Sequence, residues 1–305
     1  MVKVAIAGGS GHVGLNIINA ILSVGNHIPI ILSRSETKAT DPPNVEVRTV
    51  DYSNRANLVS SLQDVHTVIV TLFSADAKES VEHQLALLEA AKEVGVKRFA
   101  PSEWASRDNS GLLMYLPKLQ VWEAVKNSGL EATRFVPGLF INMFVGGSNL
   151  PSEREALAGY PGNLFIDARA GIADIPGDGT TKITFTSVQD TAKFVAASLD
   201  LDKWEELSGI VGETKTFDEV VDVAERITGK TFLRTYLIKG GGERAERLLG
   251  SLIYSESAKS MSAGHWEVEP TLNRRLPPLR ALTVEEFLRG YWEGADWSTP
   301  AAAAS

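Results

Sequence analysis

Three glycines spaced three apart, Gly8, Gly11 and Gly14, lie near the start of the chain in the stretch AIAGGSGHVG. Gly9 and Ser10 fill the first gap, and His12 and Val13 the second. Each glycine has a physical use if the run cradles a phosphate. Gly8 permits the tight turn, Gly11 lets the backbone approach a pyrophosphate, and Gly14 lets the following helix pack closely on the preceding strand. The flanks suit this reading. An apolar run, Val2 to Ala7, comes before, and a segment with apolar residues at helical spacing comes after. The start of that helix would present free N–H groups and a partial positive charge. The plainer alternative is a structural turn. On the cradle reading, Gly8, Gly9, Ser10, Gly11, His12, Val13 and Gly14 form the pyrophosphate loop of a dinucleotide site.

The kind of dinucleotide is read at the end of the second strand, where an acidic residue takes the ribose 2′-OH of NAD. This chain has ILSRSETK there. Arg34 is placed to fork onto a 2′-phosphate and Lys38 to add charge, which points to NADPH. Glu36 is the competing residue for the ribose, and Lys38 alone would read as a solvated loop lysine. Thr71 lies near the end of the fourth apolar run and Phe73 follows it, where the middle of the cofactor would pass, although Phe73 could equally be core. Ser102 and Glu103 lie at another strand end, placed either to meet the nicotinamide or to cap the next turn.

The catalytic group is less obvious. Cysteine is absent, which excludes thiolate catalysis and disulfides. The five histidines are scattered without ligand-like spacing, so no metal site is expected. Short-chain dehydrogenases commonly pair Tyr with Lys four residues later, yet no tyrosine of this chain has that partner. Lys118 follows Pro117, a residue suited to the first helical position. That puts a cation in a first helical turn, where the helix dipole disfavours it. A merely structural lysine gains little from such a place. Trp104, Phe140, Met143 and Phe144 cluster near strand ends as candidate walls for an aromatic substrate, although each alone also reads as core.

These residues need a scaffold, and the periodicities supply one. Strands are predicted at Val2–Ala7, Ile28–Leu32, Val45–Val50, Val65–Leu72, VKRFAPS and EATRFV. Helices are predicted at His12–Val24, Ala56–Leu62, Lys78–Val94 and Tyr115–Asn127. Alternation of this kind specifies an α/β fold, a Rossmann-type doubly wound parallel sheet with helices on both faces. Residues 1–150 read as the NADP-binding domain, completed by part of 180–200. Residues 151–305 read as a smaller, discontinuous substrate-binding region. Within the latter, NLPSEREALAGYPGN looks like a loop-rich junction, TKITFTSVQD contains a strand, and Thr191–Leu199 is a helix with a capping pattern at Ser187 and Asp190. Thr216 with Glu219, and Thr283 with Glu286, mark two further helix starts. The tail STPAAAAS is low-complexity and expected to be disordered.

Bulk properties narrow the function classes. The 305 residues are 44% hydrophobic and 22% charged, with net charge −8. An acidic chain is a poor binder of nucleic acid or anionic membrane. No apolar run approaches the ~18 residues of a membrane span. The chain reads as a cytoplasmic protein, monomer or homodimer, with a small-molecule substrate.

The stretches AIAGGSGHVG, VKRFAPSEW and PKLQVWEAVKNSGLEATRF together resemble the isoflavone reductase-like family. This family includes the phenylcoumaran benzylic ether and pinoresinol–lariciresinol reductases, within the NmrA-like atypical short-chain dehydrogenases. GDGTTKITFTSVQDTAKFVA and LPPLRALTVEEFLRGYW extend the likeness through nearly the whole chain. The resemblance implies NADPH, hydride transfer to an activated carbon of an aromatic or enone substrate, and a lysine general acid/base at the position of Lys118. The family's frequent PSEFG is PSEWA here, and the segment after the sixth strand reads VPGLFINMF, both on the substrate side. A regulator that binds NADP(H) without turnover is the competing class, and a quinone or simple enone reductase is a third reading.

Overall fold

The computed structural model describes residues 1–35, 42–74, 76–108, 110 and 112–297. Its centre is a six-stranded sheet in the order β3-β2-β1-β4-β5-β6, with every pairing parallel. The strands are β1 (Lys3–Ala7), β2 (Ile28–Ser33), β3 (Glu46–Thr49), β4 (Thr67–Val70), β5 (Arg98–Ala100) and β6 (Glu131–Ala132). The helices between them are α1 (His12–Val24), α2 (Arg55–Ser61), α3 (Ala77–Val94) and α4 (Leu116–Lys126). Alternation along β1 sorts the two faces. Ala5 and Ala7 join Leu58, Leu87, Leu88, Val121 and Val125 of α2, α3 and α4 on one side. Val4 and Ile6 join Ile17, Ile18 and Ile21 of α1 on the other.

The helix ends follow the chemistry of their residues. Gly25 and Gly95 take left-handed caps after α1 and α3, which only glycine adopts without strain. Asn54 and Asp76 accept backbone N–H groups at the starts of α2 and α3. A short 3₁₀ turn, Leu113–Tyr115, leads into α4. The helix begins at Leu116, one residue after the predicted Tyr115, so Pro117 is its second residue and Lys118 stays in the first turn.

The predicted strand EATRFV divides at Thr133. Glu131–Ala132 pairs with β5, whereas β7 (Arg134–Val136) pairs with a later strand. The cause is β5 itself. It ends at Pro101, which has no N–H to donate, and the continuing chain must find another partner. Buried Thr133 marks the change, its hydroxyl 2.8 Å from that of Ser208.

The second half has several small sheets. Its elements are β8 (Leu139–Phe140), α5 (Glu153–Leu157), β9 (Ile166–Asp167), β10 (Ile172–Pro176), β11 (Ile183–Thr186), α6 (Val188–Ser198), β12 (Leu207–Gly209), β13 (Glu213–Lys215), α7 (Phe217–Thr228), β14 (Leu233–Leu237), α8 (Glu243–Leu249), α9 (Leu252–Ser262), α10 (Thr271–Arg275) and α11 (Val284–Trp292). β12 is the partner of β7, and α6 returns to the first half, where Phe194 and Val195 share the core of α1. A short helix, α5, lies in the segment predicted as loop. α6 starts three residues before the predicted Thr191, because Ser187 caps it by accepting from Asp190 N. Capping boxes form at Thr216 with Glu219 and at Thr283 with Glu286, as the sequence specifies. The predicted disordered tail lies outside the described residues. Among those residues, no helix is long and apolar enough to cross a membrane.

Candidate functional site

The order of the central sheet reverses between β1 and β4, and ligands of open parallel sheets bind at such switch points, beyond the carboxyl ends of the strands. The glycine run leaves β1 there. Gly8 has φ +82°, a left-handed value, and its carbonyl accepts from Gly11 N at 2.9 Å. A Cβ on Gly14 would lie 2.5 Å from the Gly8 carbonyl oxygen and 2.8 Å from Gly9 Cα, so this glycine is required for packing. Gly11 differs. A Cβ there would meet only the Gly8 oxygen at 3.1 Å, and the residue is exposed. Gly11 is the N-cap of α1, with no side-chain cap, and the first turn has no acidic residue. The helix thus presents uncapped N–H groups and its positive end to solvent.

Thr71 holds this loop in place. Its hydroxyl oxygen lies 3.0 Å from the carbonyl oxygens of Ala7 and Gly8. Ser10 is half-buried, and Val13 packs into the α1 core. His12 is exposed, and its ring lies 5.6 Å from that of Tyr160. A segment that the sequence reading took only as a loop-rich junction therefore covers the loop. Gly159 (φ +92°) passes so close that a Cβ would fall 1.8 Å from His12 Nδ1. Asn142 Nδ2 donates to Ala156 O at 2.6 Å and holds this segment down. The signal for it was the glycine in ALAGYPG, which is visible in the sequence but has no assignable partner there.

At the end of β2, Arg34 is largely exposed, with Nη1 3.4 Å from Glu79 Oε1. Lys38 and Glu36 lie outside the described residues. Phe73 is 94% exposed beyond β4, clear of the core.

Lys118 sits where β5 ends and α4 begins. Its Nζ donates to the carbonyl of Ser102 at 2.7 Å and also to that of Glu103. Ser102 in turn donates its hydroxyl to Leu72 O at 2.9 Å, and its N–H to Gln84 Oε1 at 2.8 Å. Leu72 adjoins Thr71, which touches Gly8. Short contacts thus link the lysine to the glycine loop across the carboxyl ends of β5, β4 and β1. Burial pushes the Lys118 pKa down, and the nearby Glu103 carboxylate opposes the shift. The Tyr115 ring lies 5.7 Å from Nζ, and burial, with Glu103, pushes its hydroxyl up to about 12.

The predicted substrate walls divide. Trp104 is half-buried at φ +46°, fixed by Nε1 donating to Val70 O at 2.8 Å and by stacking on Phe135 at 5.6 Å. Met143 is half-buried against the second-half core. Phe144 is a correction. It is fully buried and edge-on to Phe185, because the turn after β8 directs it towards β11. Phe140 is also inside, 2% exposed and 5.8 Å from the Tyr160 ring of the covering segment. Apolar surface lies instead on residues that the sequence reading passed over. Leu113 and Leu116, in the turn that leads into α4 and at its first residue, are exposed, as are Leu252 and Ile253 of α9. The Glu256 carboxylate on α9 accepts Leu113 N at 2.8 Å and brings the two segments together.

Residues 2–288 match the NmrA-like family. The chain belongs to that family. It is 34% identical over 291 residues to oxidoreductase BOA1 of Botryotinia fuckeliana, covering 90% of this chain and 91% of that protein. Against pinoresinol reductase 2 of Arabidopsis thaliana the identity is 29%, over 77% of each chain. The fold is also that of the NADPH-dependent quinone oxidoreductase QOR2 of Escherichia coli, solved with NADPH, with a TM-score of 0.74, 19% identity, and 95% of this chain and 100% of that one covered. The resemblance drawn from the glycine loop, VKRFAPSEW and the α4 segment stands, and family membership places the chain among oxidoreductases.

Proposed function

We propose that this protein is an NADPH-dependent reductase that delivers hydride to an activated carbon of a small aromatic or conjugated substrate, with Lys118 as the proton-transfer residue. The observation that carries the reading is the set of contacts joining Lys118 through Ser102, Leu72 and Thr71 to the glycine loop. It sets a half-buried cation and an anion-binding helix end along the carboxyl ends of adjacent strands.

The residues fit the cofactor. The uncapped start of α1 and exposed Gly11 suit a pyrophosphate, and exposed Arg34 suits a 2′-phosphate. Bound NADPH supplies the hydride. The protein supplies position and a proton. The carbonyls of Ser102 and Glu103 orient the Lys118 ammonium, and burial beside a positive helix end eases loss of its proton. A lysine so tuned can deprotonate a phenol as a benzylic ether opens, or protonate the enolate formed from an enone. Exposed Leu113, Leu116, Leu252 and Ile253 favour an apolar substrate body. We read residues 151–305 as supplying most of that side of the cleft.

The relatives divide the substrate question in two. One is named for pinoresinol, a phenolic ether, and one for quinones. The deciding experiment mixes the protein and NADPH with phenolic benzylic ethers, enones and quinones and follows absorbance loss. Turnover of one class assigns the substrate. NADPH binding without turnover across such a panel would favour a non-catalytic sensor and overturn the enzyme reading.

A further inference from the structure

Arg34 already has a partner of opposite charge in the chain, the carboxylate of Glu79 at 3.4 Å. Glu79 has three other anchors. Ser74 donates its hydroxyl to Oε2 at 2.6 Å. The residue lies in the first turn of α3, an 18-residue helix whose dipole stabilises an anion there. His83, one turn on, has Nε2 3.8 Å from Oε1. The His83 ring is itself fixed by stacking on Tyr52, at 4.5 Å and 24° between planes, with Tyr52 only 6% exposed.

Arg34 is the more exposed member, its side chain 71% exposed against 40% for Glu79, and it lacks the anchors that hold the carboxylate. When the guanidinium turns to a 2′-phosphate, the carboxylate cannot follow. It stays behind, unpaired by Arg34 and close to a second, doubly charged anion. A cofactor without the 2′-phosphate asks nothing of this pair.

We propose that Glu79 is a specificity-determining residue, an internal anion that competes with the 2′-phosphate for Arg34 and narrows the preference for NADPH over NADH. The proposal rests on the reading that Arg34 receives the 2′-phosphate.

The test titrates the full chain with NADPH and with NADH in a calorimeter. Glu79→Gln keeps the side-chain size and an acceptor for Ser74 but removes the charge. It should tighten NADPH by about two- to fivefold, the scale of an exposed ion pair, and leave NADH unchanged. The gain should shrink as ionic strength rises from ~0.05 to ~0.5 M. In an Arg34→Ala background the same substitution should gain less, since no guanidinium is left to free. Weaker NADPH binding by Glu79→Gln would show that the carboxylate holds Arg34 ready for the ligand, and would overturn the proposal. An equal change for both cofactors would also overturn it. If Arg34→Ala leaves NADPH affinity unaltered, the 2′-phosphate reading itself fails. If Arg34→Ala weakens NADPH and Glu79→Gln does nothing, only the competition fails.

Discussion

The two ends of the site are built on opposite principles. At the glycine loop the working groups are backbone, and the side chains around them are absent or turned to structural use. Gly14 exists to let α1 approach β1, Thr71 holds the loop carbonyls, and the charge offered at the loop itself is the end of a helix. At the other end the proposed chemistry rests on a single side chain, and the backbone holds it, with two carbonyls accepting from Lys118 and burial lowering its pKa. The first design tolerates no added atoms. The second depends on the environment of one group, assembled from β5, α4 and the carboxylate of Glu103.

The contrast is sharpest for the lysine. Lys118→Ala should lower kcat by ~10²–10⁴, the usual share of general acid–base catalysis, while NADPH affinity measured by calorimetry stays close to wild type. Lys118→Arg should not restore the rate, because a guanidinium does not give up its proton. Turnover of the alanine variant within a few-fold of wild type would erase the distinction between the two ends.

The loop should show the reverse pattern. Gly11→Val adds atoms where only the Gly8 oxygen, 3.1 Å from a new Cβ, stands nearby. The chain should fold, with near-native circular dichroism, and lose NADPH affinity by roughly 10²-fold, because backbone can no longer approach phosphate. Gly14→Val should instead fail at folding, since its Cβ would overlap the Gly8 carbonyl and Gly9 Cα. Equal behaviour of the two variants would mean that the loop is structural throughout.

Arg34 should behave as a side-chain contact at the backbone end. Arg34→Ala should weaken NADPH by about 1.5–3 kcal/mol, the scale of hydrogen bonds to charged groups, with NADH little changed. Equal losses for both cofactors would shift attention to Glu36.

The smallest effect is a displaced pH limb. Burial lowers the Lys118 pKa, so the protonated form is lost as pH rises through a value below the ordinary lysine range. For a reaction that draws its proton from this lysine, kcat/KM should fall on the alkaline side with a midpoint below 10.5. Tyr115, pushed up to about 12, stays protonated through that window, so Tyr115→Phe should keep the limb. A limb that disappears with Tyr115→Phe would move the proton transfer to the tyrosine.

Much of the first half was legible because its signals are local. A helix from His12 to Val24 was readable from the spacing of its apolar residues, and the structure has those bounds. The Thr216–Glu219 and Thr283–Glu286 boxes need only four residues each. Legibility ended where a residue's partner is far along the chain. EATRFV reads as one strand, and only the end of β5 at Pro101 and the distant β12 divide it. Phe144 and Leu113 show the same limit in opposite directions. Both are apolar residues near a turn, yet one is sealed against Phe185 and the other stands 67% exposed in the turn before α4.

The sequence by itself determined the glycine loop, the parallel alternation of strands and helices, and the first-turn position of Lys118, since these follow from φ/ψ freedom, periodicity and proline geometry within short windows. Tertiary structure alone decided what those groups meet. It lowered the lysine by enclosing it, gave Arg34 the competing carboxylate of Glu79, 45 residues on, and laid Gly159 against His12. Burial, ion pairing and steric contact act through space, and their strength is set by distances that no local window of sequence contains.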